Sequence, residues 1–305
     1  MKILILGAGA MGSVYGGHLS LKHEVYMVDK NEALVEKIND DGLTVEEAGK
    51  SVVYHPAAVT STEGLGIVDL VVVFVKSLFS RAALEENKGV IGEHTYVMTL
   101  QNGAGHEDIL SEFVAKERII LGTTEDNGAV LGLAHVRRGG VGKTNFGMLT
   151  PDKENMLEKC KEGFDSCGFD CHIFDNIQQL IWDKLFTNVS LSAVTGILSV
   201  QIGYIASNSH AWEMTKQLIH EAIQVADAMG LKFDEEEMTE RVRQTSINSP
   251  EGLTSIYMDL KQGRKTEVDT ISGSVVRAAA KMGVPVPTHK FVVHMVHAME
   301  ERNEG

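Results

Sequence analysis

The chain has 305 residues, of which 43 % are hydrophobic and 23 % charged, ordinary values for a globular protein that leave no room for extensive disorder. Its 42 acidic against 28 basic side chains give a formal net charge of −14. That excess repels a phosphate backbone and excludes nucleic acid as a partner, while a few placed cations could still hold a small anionic substrate.

The length is generous for one core and suits two domains. The opening Met1-Lys2-Ile3-Leu4-Ile5-Leu6-Gly7 carries one cation and an apolar run that glycine soon breaks, so it reads as a first strand and not as a signal peptide. The longest apolar stretch, residues 67–75, is interrupted by Asp69 and is too short to span a bilayer. No membrane partner is expected, and the expected compartment is the cytoplasm. Val/Ile/Leu-rich runs at residues 3–6, 24–28, 70–75, 96–100 and 118–121 are bounded by Gly, Asp or Asn. Near-continuous apolar strands of this kind belong to a parallel sheet covered by helices on both faces. Residues 134–136 and 144–146 read as a short hairpin across Arg137-Arg138-Gly139-Gly140, and residues 169–174 as a last strand. Cys160, Cys167 and Cys171 are odd in number and lack a following ligand pair, so they read as free thiols in a reducing compartment, with no metal. Beyond about Asn176 helical periodicity takes over, at residues 177–198, 208–229, 235–244, 254–261, 268–282 and 289–301. Gly230, Pro250, Gly263, Pro285 and Pro287 fall at the ends of these segments. His294 and His297 lie three apart on the last helix among valines, a pattern read as packing.

Gly7-Ala8-Gly9-Ala10-Met11-Gly12 fits G-x-G-x-x-G, follows a predicted strand and opens a helical stretch over residues 11–21. Gly7 permits the tight turn, Gly9 lets backbone N–H groups approach a pyrophosphate, and Gly12 lets helix and strand pack closely. The helix N-terminus then offers unpaired N–H groups and a positive dipole end to the phosphates. Asp29 ends the second strand 22 residues after Gly7, where a carboxylate accepts ribose hydroxyls and repels a 2′-phosphate. That favours NAD, although Lys30 follows directly. The fold expected is therefore an α/β N-terminal Rossmann-type doubly wound sheet over residues 1–175 plus an all-α C-terminal domain over residues 176–305. The two would be joined directly, with a cleft between them.

In the helical half, Lys184, Asn188 and Ser192 fall at i, i+4 and i+8, one polar stripe suited to a carboxylate and a polarised carbonyl. Several ordered motifs then accumulate. They are Gly7–Gly12 running on to Gly16-Gly17, Val75-Lys76, Gln101-Asn102-Gly103, Gly122-Thr123-Thr124, Trp182-x-Lys184-Leu185-x-x-Asn188, Ser255 with Met258-Asp259, and Thr266-Glu267-Val268-Asp269. In this order they resemble the ketopantoate reductase (2-dehydropantoate 2-reductase) family over nearly the whole chain. The resemblance implies NAD(P)H-dependent reduction of a small 2-keto acid to a 2-hydroxy acid, foremost ketopantoate to pantoate on the route to pantothenate and coenzyme A. It implies Lys184 as the general acid at the keto oxygen, and Asn102 between cofactor and substrate. It places Lys76 and Gly128 near the cofactor, and Asn188 and Ser255 at substrate hydroxyl and carboxylate groups. Glu267 would reach back to cofactor or substrate; the plainer reading makes it a helix-first-turn acid behind a Thr266 cap.

Two departures stand out. Ser192 occupies the substrate-binding place where the family has a second asparagine, and no asparagine stands at residues 201–203. The family pattern also has NADPH with a basic residue after the second strand, where this chain has Asp29. An NAD-dependent D-2-hydroxyacid dehydrogenase on the same scaffold is the alternative these departures favour. A non-catalytic nicotinamide-nucleotide redox sensor is a further one, against which the intact Lys184 speaks. The last helices could form a homodimer face.

Overall fold

The computed structural model describes residues 1–304, which divide into two compact units. The first comprises Met1–Gln101 and His106–Ile177; the second comprises Asn102–Gly105 and the chain from Gln178 onwards.

The first unit runs β1 (Lys2–Leu6), α1 (Ala10–Leu19), β2 (Glu24–Val28), α2 (Glu32–Asp41), β3 (Leu43–Glu47), β4 (Lys50–Tyr54), β5 (Ala57–Val59) and β6 (Leu70–Val73). It continues with α3 (Ser80–Glu86), β7 (Tyr96–Thr99), α4 (His106–Leu110), β8 (Ile119–Thr124), β9 (Asn127–Gly132), β10 (His135–Gly140), β11 (Lys143–Gly147), α5 (Met156–Asp165) and β12 (Asp170–Ile173). Eight strands form the main sheet in the order β12-β11-β8-β7-β6-β1-β2-β5. All its pairings are parallel except β8 with β11. The order reverses at β1, where chain direction leads to β2 on one side and to β6 on the other. A crevice opens at such a reversal beyond the C-terminal ends of the strands. The central strands are buried on both faces, with Ile3, Leu4, Ile5 and all of Leu70–Val73 inaccessible to solvent. This is why they read as unbroken apolar runs.

The expected hairpin does not form. Residues 135–136 lie in β10 and residues 144–146 in β11, and these belong to different sheets. β10 joins β9, β3 and β4 in a second, four-stranded sheet of order β4-β3-β10-β9. A buried ion pair anchors β10 there. Arg138, pointing into the protein from β10, donates through Nε and Nη2 to Asp126, both side chains being wholly inaccessible. Its Nη1 reaches Glu47 on β3 at 3.0 Å. Removing one partner would leave a buried unpaired charge, so the arrangement is strongly specified. β11 turns instead to β8, where the Tyr15 hydroxyl on α1 bonds both Thr124 and Thr144.

The second unit runs α6 (Ile177–Thr187), a π-turn at Asn188–Ser192, α7 (Ala193–Leu198), α8 (Gly203–Ser207), α9 (Ser209–Ala228), α10 (Glu235–Asn248), α11 (Ser255–Lys261), α12 (Ser272–Met282) and α13 (Pro287–Glu304). Helix starts follow the expected cap chemistry: Asn208, Asp234 and Thr254 each accept a backbone N–H of the first turn. Glu221 on α9 is buried and accepts the N–H groups of Thr288 and His289, closing the start of α13 with a carboxylate. No helix among the described residues is long and apolar enough to cross a membrane.

Candidate active site

The glycine loop in the first unit is built almost wholly from backbone. Gly7 has φ +98°, and a Cβ there would meet the Val75 backbone N at 2.9 Å. A Cβ on Gly12 would stand 1.9 Å from the carbonyl oxygen of Gly7, so only glycine lets α1 begin this close to β1. Gly9 differs: its missing Cβ would meet no protein atom within 4 Å. That space is a cradle in front of the first N–H groups of α1, and a side chain there would fill it. The residues present therefore fit a dinucleotide pyrophosphate. Ala8 N–H donates to Asp29 Oδ2 and Asn31 N–H to Asp29 Oδ1, both at 3.0 Å, so the carboxylate is held at the loop by main-chain donors.

A cavity of about 640 Å³ opens beside the loop, lined by Gly7, Gly9, Asp29, Lys30, Val75 and Lys76 among others. Its far wall is α3, including Ala82, Ala83 and Glu86. Lys30 is engaged there, its Nζ lying 2.7 Å from Glu86 Oε1. Gln101 holds the segment that carries Lys76, donating through Nε2 to the Val75 carbonyl at 2.5 Å and the Ser80 hydroxyl at 2.9 Å. On the other side Gly128 of β9 abuts Ala10 and Met11, leaving 3.2 Å to each for a Cβ. Of the residues expected at the cofactor, Gly7, Gly9, Asp29 and Lys76 line this cavity, Ala8, Ala10, Met11 and Gly12 continue the loop into α1, and Gly128 packs against Ala10 and Met11. Glu86 and the α3 wall carry no motif and were not legible from spacing.

Asn102 and Glu267, expected at the cofactor, belong to the helical unit. They occur in segments that interlock: Ala104 N–H donates to the Thr270 carbonyl at 2.9 Å, and a Cβ on Gly103 would stand 2.0 Å from that oxygen. Glu267 is not in a first helical turn. Helix α12 begins at Ser272, later than expected; before it Thr266 Oγ1 accepts the Val268 N–H, and the Glu267 carbonyl accepts the Thr270 and Ile271 N–H groups in a separate turn. A chain of polar groups backs this turn. Glu300 accepts the Thr266 N–H at 2.7 Å and the His297 ring at 2.9 Å, and His297 reaches Asp269 at 3.1 Å. Burial pulls the His297 imidazole down, but the two carboxylates outweigh it and hold it above its ordinary range. His297 is therefore no packing residue, whereas His294 is exposed.

Lys184 on α6 and Asn188, the first residue of the π-turn, are both half-buried, whereas Ile181, Trp182, Leu185 and Phe186 of α6 are buried. Arg241 on α10 grips this helix, donating to both carboxylate oxygens of Asp183 at 2.7 and 2.8 Å and to the Asp183 carbonyl at 2.7 Å. The polar stripe does not continue to Ser192. The π-turn adds a residue to the turn, so a position eight beyond Lys184 no longer falls beneath it, and Ser192 is buried. Ser255 is the exposed first residue of α11.

A switch-point crevice, a glycine loop and an anchored strand-end carboxylate define a dinucleotide-binding protein of the Rossmann class. Residues 3–151 match the family model for ketopantoate reductase PanE/ApbA, and residues 176–300 match its C-terminal part. The chain belongs to the ketopantoate reductase family. A 2-dehydropantoate 2-reductase of Pyrococcus horikoshii is 30 % identical over 309 residues, covering 100 % of this chain and 99 % of the relative. One from Streptococcus pyogenes is 29 % identical over 98 % of each chain. Among solved structures, D-mandelate dehydrogenase with NADH and anilino(oxo)acetate superposes with a TM-score of 0.90 at 31 % identity, over 100 % of both chains. A PanE/ApbA family ketopantoate reductase from Ralstonia eutropha gives 0.89 at 25 % identity, likewise over 100 % of both.

Proposed function

We propose that this protein reduces ketopantoate to pantoate, with Lys184 as general acid and NADH as the preferred cofactor. The observation that carries the catalytic reading is the setting of Lys184. It is half-buried on a helix whose opposite side is locked in the core and whose neighbouring residue is clamped by Arg241. When bound, the reduced nicotinamide supplies hydride to the keto carbon. The Lys184 ammonium donates a hydrogen bond to the keto oxygen, stabilises the negative charge growing there and passes it a proton from Nζ. Asn188 and Ser255 bind the substrate's hydroxyl and carboxylate groups. Asn102 and Glu267, held together through Thr270, orient substrate and cofactor.

The cofactor preference rests on charge. Asp29 is fixed by two main-chain donors, and Lys30, which could have met a 2′-phosphate, is paired with Glu86. A 2′-phosphate would face two carboxylates for one cation. A second reading, a D-2-hydroxyacid dehydrogenase acting on a bulkier 2-keto acid with NADH, is favoured by the same Asp29 and by the smaller Ser192. The likeness to D-mandelate dehydrogenase supports it too.

The test is initial-rate reduction of ketopantoate and of phenylglyoxylate, each with NADH and NADPH, followed by cofactor absorbance. Faster turnover of ketopantoate supports the first reading. Phenylglyoxylate turning over while ketopantoate is inert supports the second, and no turnover of either overturns both.

A further inference from the structure

The π-turn at Asn188–Ser192 lies between the segment that carries Lys184 and the segment on which α11 rests. Turns of this kind disturb the i→i−4 ladder and require other groups to complete its hydrogen bonding. Here hydroxyls do so: Ser190 Oγ donates to the Phe186 carbonyl at 2.5 Å, and Thr195 Oγ1 to the Leu191 carbonyl at 2.8 Å. Thr195 is 0 % exposed and also lies 2.8 Å from the hydroxyl of Thr254, itself buried. Thr254 caps α11 by accepting the Tyr257 N–H at 3.3 Å. Each hydroxyl has a single proton to give. Between them the two hydroxyls have the Leu191 carbonyl at 2.8 Å, the Ser192 carbonyl at 3.2 and 3.4 Å and each other as acceptors, and either can donate across the pair. The result is one connected chain linking the Tyr257 N–H, Thr254, Thr195 and the carbonyls of the π-turn. Beside it α7 and α11 are as close as glycine allows, since a Cβ on Gly196 would stand 2.6 Å from Ile256 Cγ2.

We infer that Thr195 and Thr254 are positioning residues that fix Ser255 relative to the helix bearing Lys184 and Asn188, and so set the affinity for the substrate carboxylate. The inference rests on the reading of Ser255 given above. Ser255 is the residue directly after Thr254, so the hydroxyl chain registers the α11 start against the helix at the π-turn. The Thr195–Thr254 contact spans 59 positions of sequence and has no counterpart in any local pattern. A ligand contact held this way loses affinity when its support loosens, while proton donation by Lys184 on the far side of the π-turn is retained.

The test measures steady-state constants for Thr195→Val, Thr195→Ser, Gly196→Ala and Ser255→Ala, using whichever of ketopantoate and phenylglyoxylate turns over. Thr195→Val should raise the 2-keto acid KM about three- to tenfold, the value of one hydrogen bond. It should leave kcat within about twofold and the NADH KM unchanged, and Thr195→Ser should restore the wild-type KM. Gly196→Ala, which keeps both hydroxyls but presses α11 away from α7, should raise the same KM and serves if Thr195→Val does not fold. Adding Thr195→Val to Ser255→Ala should raise KM no further than Ser255→Ala alone. If Ser255→Ala raises KM while Thr195→Val and Gly196→Ala leave it at the wild-type value, the positioning role is wrong and the reading of Ser255 stands. If Ser255→Ala itself leaves KM unchanged, both are wrong.

Discussion

At the glycine loop the protein's contribution is nearly all main chain: carbonyls and N–H groups brought close by Gly7 and Gly12, and a gap held open at Gly9. In the helical unit the backbone is helical apart from the π-turn, and the proposed chemistry would rest on side chains: Lys184, Asn188 and Ser255, with Arg241 holding the Lys184 helix through Asp183 and a Thr195–Thr254 contact beside Ser255. A backbone site cannot be moved by changing one polar group, but it fails sterically when a methyl is added. A side-chain site tolerates small steric changes, but it fails when one functional group is lost. The first kind suits a cofactor used by many enzymes, and the second suits a substrate that distinguishes one enzyme from another.

Substitutions should separate the two regions. The largest effect is expected for Lys184→Ala, which should lower kcat by roughly 10²–10⁴-fold, the usual worth of a general acid; a kcat near the wild-type value would remove Lys184 from the reaction. Next come the glycines, and here the two should part. Gly12→Ala forces backbone to move and should cost about 1–3 kcal/mol of stability, read as a lower denaturation midpoint. Gly9→Ala, with no protein atom to strike, should melt like the parent yet bind NADH about tenfold more weakly, a difference of about 1.4 kcal/mol. Equal melting losses in both would mean that the Gly9 space serves the fold and not a ligand. Asp29→Ala should shift the ratio of kcat/KM for NADPH over NADH upward by about tenfold, since a unit charge at 4 Å is worth ~1–4 kcal/mol near a surface. An unmoved ratio would place the ribose elsewhere.

A last effect concerns the pH dependence of stability in the helical unit and leaves both sites alone. Burial lowers the His289 imidazole to about 4, its Nδ1 lacking a partner while Nε2 meets the Leu218 carbonyl. The folded state therefore disfavours the charged form relative to the unfolded chain. The contribution is complete above the unfolded value near 6.5 and is lost as pH falls from there toward about 4, at up to ~1.4 kcal/mol per pH unit. His289→Gln, titrating nothing, should show a flatter denaturation profile across that interval. A slope equal to wild type would mean that the imidazole charges without leaving its site.

Legibility followed the same division. The glycine loop could be read from sequence because its turn and close packing call for glycine, and because β1, buried on both faces from Ile3 to Leu6, is apolar over that run. The four-stranded sheet could not. Four of the five residues of β4 are exposed, so alternation gives no signal, and β3 pairs with β10 through Thr44 and His135, far apart in the chain. The extent of the helix after Asn176 was legible, but its π-turn was not, because a 3.6-residue periodicity carries Lys184 and Asn188 straight on to Ser192. Thr195 and Thr254, like His297 with its two carboxylates, become partners only in three dimensions.

The division of labour is tested most directly by titrating NADH into wild type and Lys184→Ala by fluorescence, then assaying the same samples for 2-keto acid reduction. The account predicts NADH affinities equal within about twofold, with turnover in the variant down by the factor expected for a general acid. Turnover retained in the variant, or NADH affinity lost along with it, would contradict the assignment of the cofactor to the glycine loop and of the proton to Lys184.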